Sequence, residues 1–128
     1  MDVKMIELLG QWAKLEPTVC KTTFMPGTFE IVSPLDWQFL DARNSFNVGR
    51  KTEFERQYLL NAVLECQCFL KDWFVVQSQV NMTTCWTCAI ECRTTRQKAI
   101  FSAHTRLEAF LRAYLVMLSQ VGGKDASA

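Results

Sequence analysis

The chain is poor in the features that make a sequence easy to read. It has one histidine, His104, so a single imidazole is available for any general-base or ligand role. No glycine-rich phosphate loop, serine nucleophile elbow or dinucleotide fingerprint occurs. No apolar stretch approaches the roughly 18 uninterrupted residues of a spanning helix. The opening residues Met1–Gly10 carry charges inside their apolar run and lack a small-residue cleavage site, so they read as no secretion signal. Charge of one sign is lacking too: the formal net charge is +1, which leaves no overall field to draw nucleic acid or an anionic membrane. These absences argue against an enzyme, and the reading is non-enzymatic.

What the chain does hold is ordinary globular material. Apolar residues make up 49% and charged residues 21% of 128, enough to bury one core. The expectation is a single domain over residues 1–121 with a flexible polar tail at 122–128. Nine Phe, four Trp and two Tyr are generous for this size. Large rings are hard to hide completely in so small a domain, which points to an aromatic contact surface. Without an export signal the six cysteines read as reduced thiols, and the location as cytoplasmic.

Hydrophobic spacing predicts a mainly α fold, with four to five helices in a small irregular bundle. A first helix is predicted over Val3–Leu15, capped by Asp2 and stopped by Pro17. Residues 18–33 have strand propensity around Pro26-Gly27 and read as a short β-hairpin. A further helix is expected from Ser33-Pro34 to about Ser45. Thr52-Glu53-Phe54-Glu55 has the form of a capping box, followed by the stripe Leu59, Val63, Cys66, Leu70, Trp73 and Val76. Cys85, Cys88 and Cys92 follow helical spacing, so helices are preferred over 73–92. The alternative there is an α+β fold with a second hairpin turning at Asn81-Met82. A last helix is predicted along Ala99, Ala103, Leu107, Phe110, Leu111, Tyr114, Leu118 and Val121, ended by Gly122-Gly123.

Three constellations suggest function. The first is apolar excess: helix faces with more nonpolar surface than one globule hides point to protein–protein contact, with Phe69, Trp73, Trp86 and Tyr114 as the contact residues. A regulator, inhibitor or accessory subunit fits, its partner a protein or a second copy in a homodimer. The alternative is a nucleic-acid-binding regulator using Arg93, Arg96, Lys98 and Arg106 on a basic helix over 93–112. The third is the cysteine-rich set Cys66, Cys68, Cys85, Cys88 and Cys92, whose spacing could supply zinc ligands. No glycine stands in either candidate knuckle, and C-x-C chelates less well than C-x-x-C. Core packing of reduced thiols is therefore preferred, and no cofactor is expected.

Overall fold

The computed structural model describes the backbone of residues 1–32, 45–80 and 84–127, with side chains up to Gln120. The helix expected from Ser33 to Ser45, Trp37 with it, and the turn at Asn81-Met82 lie outside or at the edge of the described residues. Among the described residues there are three α-helices and two three-stranded antiparallel sheets, so the protein is α+β. The mainly α bundle, all-alpha and with four to five helices, is overturned. The chain clusters into two compact units, Met1–Leu59 and Leu60–Ala128, whose boundary falls inside the second helix.

The first unit begins with α1, Val3–Leu15. Asp2 Oδ1 accepts from the Met5 amide at 2.8 Å, satisfying one of the donors that a helix start leaves bare. Leu8, Leu9 and Trp12 form its buried face. The Trp12 indole N–H donates to Glu16 Oε1 at 3.0 Å, where Pro17 forbids further turns. Strand β1 (Cys20–Thr22) then pairs with β2 (Phe29–Val32), and β2 with β3 (Ser45–Asn47). The β1–β2 turn holds Pro26 and Gly27, and Gly27 takes φ +74°, a conformation glycine adopts without cost. Alternation sets the faces: Cys20, Ile31 and Phe46, directly opposite one another, are buried, whereas Lys21, Glu30 and Asn47 form the open row. The Cys20 thiol donates to the Leu9 carbonyl at 3.5 Å, placing α1 on the buried face.

Helix α2, Glu53–Leu70, starts at the anticipated capping box. The Glu55 amide donates to Thr52 Oγ1 at 3.2 Å and the Thr52 amide to Glu55 Oε1 at 3.0 Å. Its buried stripe is Leu59, Leu60, Val63, Leu64, Gln67 and Cys68; Cys66 is half-buried and Leu70 is exposed. The helix stops because Asp72 turns to φ 59°, the left-handed conformation that commonly closes helices.

The second unit builds its sheet from β4 (Trp73–Gln79), β5 (Trp86–Cys92) and β6 (Lys98–Ala103), in that order. This is where the helical expectation fails. Trp86, Cys88, Ile90 and Cys92 recur every second residue, and Cys88, Ile90 and Cys92 are buried while Ala89 and Glu91 between them are not. Period two won over the coincidental three-and-four spacing of the cysteines. Ala99 and Ala103 likewise belong to β6 and not to the last helix. Thr105 caps that helix instead, its hydroxyl accepting from the Glu108 amide at 3.1 Å. Helix α3 spans Arg106–Ser127, beyond the glycine pair expected to end it. It packs on β5 and β6, and burying Leu107, Phe110, Leu111, Tyr114 and Met117 makes the core of this unit.

Candidate functional site

The residues singled out from the sequence separate in space. Tyr114 is fully buried and Trp73 is 6% exposed. Their rings meet edge to face with centroids 5.5 Å apart, a core contact between sheet and helix. Trp86 is half-buried at the start of β5, and only Phe69, 82% exposed, stands on the surface. The aromatic surface is thus not a helix face built from these four.

The basic group does not form a helix either. Arg93 and Arg96 lie in the β5–β6 turn, Lys98 opens β6 and Arg106 opens α3. Arg93 reaches Asp72 at 3.3 Å and stacks over the Phe74 ring at 5.4 Å. Arg96 faces Glu91 at 3.8 Å. Arg106 forks between Gln77 Oε1 at 2.8 Å and Glu65 Oε1 at 2.7 Å, joining β4, α2 and α3. A basic recognition helix over 93–112 is therefore corrected: a strand interrupts it, and acids neutralise three of its four cations.

Among the described residues no three His, Cys, Asp or Glu side chains converge to hold a metal ion. Cys88 and Cys92 point to the inner face of β5, Cys85 precedes it, and Cys66 and Cys68 lie on α2. Their chemistry differs by environment. Burial pushes the Cys88 thiol up to about 12, Arg106 opposing only weakly, and burial beside Glu16 takes Cys20 to about 12 as well. Cys92 goes the other way, down to about 7, chiefly because the Thr94 hydroxyl and then Thr95 donate to its sulfur. The Thr94 contact is 3.3 Å.

Two features escaped the sequence reading. One is the sheet face of the second unit opposite α3. The β-register sets Val76, Ala89 and Ile100 side by side across three strands, with Phe74, Glu91 and Lys98 in one neighbouring row and Ser78, Thr87 and Ser102 in the other. Phe74 and Val76 are each 49% exposed and Ile100 55%. Thr87 and Ser102 hydroxyls bond at 2.9 Å. The alternation that buries Trp73, Cys88 and Ile90 is the signal that would have found this face.

The other is a half-open cleft of about 770 Å³ on the first unit. Among the described residues, Lys21, Arg50 and Lys51 supply its positive charge, Glu30 its one acid, and Phe24 an aromatic edge. The sequence hid it, because Lys21 and Arg50 lie far apart in a stretch of balanced charge, three Lys/Arg against three Asp/Glu over 21–50. No family model, curated protein or solved structure matches this chain.

Proposed function

We propose that the protein is a non-enzymatic binding protein whose second unit docks another protein molecule on the open face of β4–β5–β6. The observation that carries this reading is the cross-strand row Val76–Ala89–Ile100, an apolar strip on a sheet whose other face is already covered by α3. Isolated exposed apolar residues need no explanation, but a contiguous row with Phe74 beside it and polar residues around both marks a contact surface.

The occupant that matches is a second copy of the chain. Turn one copy end for end about an axis along the strip, and the two strips stack on themselves. Glu91 and Lys98 of each copy then meet Thr87 and Ser102 of the other, with no like charges opposed. Strands about 4.8 Å apart and about 3.4 Å per residue give a patch of about 14 by 17 Å, or about 500 Å² over both copies. That is below the roughly 1,200–2,000 Å² of stable complexes, so the association is weak and reversible. The six free thiols suit a reducing compartment, and we assign the protein to the cytoplasm.

Sedimentation velocity over a concentration series tests the reading. The native protein is expected to shift towards dimer as concentration rises. Ile100→Glu puts a charge in the strip at an exposed position and should hold the protein monomeric with an unchanged circular dichroism spectrum. A native protein that stays monomeric throughout, or a variant that dimerises equally well, would sink the proposal.

A further inference from the structure

The cleft of the first unit is built independently of that sheet face. Lys21 stands in the open row Lys21–Glu30–Asn47, which crosses all three strands. After β3 a single 3-10 turn, Val48–Arg50, brings Arg50 and Lys51 round to the same side. The Asn47 side chain fixes that turn by accepting from the Gly49 amide at 2.9 Å. A Cβ on Gly49 would come within 3.3 Å of the same Asn47 oxygen, a tight contact that the side chain would have to ease by a few tenths of an ångström. At the other wall, the Thr23 and Thr28 hydroxyls bond to each other, and Thr28 also donates to the Met25 carbonyl at 2.7 Å. This ties down the loop that carries Phe24.

Two properties of the cleft point to an anionic ligand with a flat ring. Arg93, Arg96, Arg106 and Arg112 are each matched by an acid within 4 Å. Lys21 and Arg50 have no ion pair among the described residues and Lys51 has Glu55 nearby, so the described lining holds three cations and one carboxylate, Glu30. Beside them, Phe24 is 97% exposed. A phenyl ring held in water by a braced loop is a stacking surface without a partner. Cations that take phosphate, hydroxyls that take sugar or phosphate oxygens, and a ring that takes a base are the parts of a single-strand platform.

We infer that this cleft binds a nucleoside phosphate unit, either free or as a link in single-stranded nucleic acid. Lys21, Arg50 and Lys51 hold the phosphate and Phe24 stacks on the base. An acidic peptide would satisfy the cations but leave Phe24 idle, which is why it is the weaker occupant.

Fluorescence anisotropy with a labelled short oligothymidylate tests this, with unlabelled nucleoside monophosphate and polyglutamate as competitors. Three phosphate contacts on a single strand give a salt slope of about −2, so a fourfold rise in salt should weaken binding about twenty-fold. Lys21→Gln with Arg50→Gln should bring the slope to about −0.7, whereas Lys14→Gln, on an exposed position of α1, should leave it unchanged. Phe24→Ser should weaken binding about tenfold at any salt. Displacement by the monophosphate assigns a free nucleotide, and its failure to displace a bound strand assigns the strand. No binding at low salt, equal displacement by polyglutamate, or binding indifferent to the cleft substitutions would overturn the inference. All the altered side chains are exposed, and unchanged circular dichroism spectra confirm that the variants fold.

Discussion

Two isoleucines ten positions apart put the strand register to a direct test. Ile90 is fully buried on the α3 side of β5, and Ile100 is 55% exposed on the opposite side of β6. Truncation to alanine removes three carbons in each case, worth about 2.4 kcal/mol if fully buried. At Ile90 the core cannot close completely behind the lost atoms, and the cavity raises the cost into the range of about 2–5 kcal/mol. At Ile100 less than half of the side chain is covered, and no cavity forms. Its loss is then about 1 kcal/mol. Urea unfolding followed by tryptophan fluorescence, at concentrations too low for self-association, reads the difference. With a slope of about 2 kcal/mol per molar, Ile90→Ala should lower the midpoint by about 1–2.5 M and Ile100→Ala by about 0.5 M. Equal shifts, or a larger one for Ile100→Ala, would refute the alternation on which both faces of this sheet rest.

Other positions give sharp expectations as well. Gly27→Ala should cost about 1–2 kcal/mol in thermal unfolding through backbone strain alone. The added Cβ would meet only Ile6 carbons at 3.9 Å, so an unaffected midpoint would mean that the turn does not need its positive φ. Thr52→Ala should lose about 1 kcal/mol of α2 stability, read in the same assay. The Glu55 carboxyl lies below its ordinary value, first because the Thr52 amide donates to it and then because the Thr52 side chain bonds. A carboxylate lowered in the folded state stabilises above its unfolded value and loses that contribution as pH falls through the folded one. The stability gap between native protein and Glu55→Gln should therefore shrink on acidification; a gap constant with pH contradicts this. Cys92, 7% exposed on the inner face of β5, should label slowly with iodoacetamide at a rate that climbs through about pH 7, while Cys20 and Cys88, sealed and held at about 12 by burial, stay silent. Thr94→Val should move the Cys92 profile to higher pH, as peptide mass spectrometry would show.

The first unit was largely legible because its signals are local. Asp2, Pro17, the Pro26-Gly27 turn and the Thr52–Glu55 box each act within a few residues, and each does in the structure what its chemistry predicts. The second unit was misread because a strand draws its identity from neighbours distant in sequence. Cys85, Cys88 and Cys92 satisfied a helical template by chance, while the alternation through Trp86, Cys88, Ile90 and Cys92 was the physical pattern. One local clue was passed over: Thr105-Arg106-Leu107-Glu108 has the form of a helix start, and it separates β6 from α3. The tryptophans divide between core and margin. Trp12 and Trp73 are sealed, Trp86 is half-covered, and the most exposed aromatic rings among the described residues are instead Phe24, Phe54, Tyr58 and Phe69. Nothing in composition could reveal the cleft, since its cations are gathered by a hairpin and a short turn.

The division between the two units falls at Leu59 and Leu60, in mid-helix. Anyone dissecting the protein would be misled by cutting there. A fragment beginning at Leu60 would strip α2 of its first turn, with the Thr52 hydroxyl and Glu55 carboxylate that start it, and would bare a new set of amide donors. The shorter piece worth expressing begins at Thr52. By the same logic a protease, which needs an extended stretch of chain to grip, should spare this junction and nick the chain elsewhere.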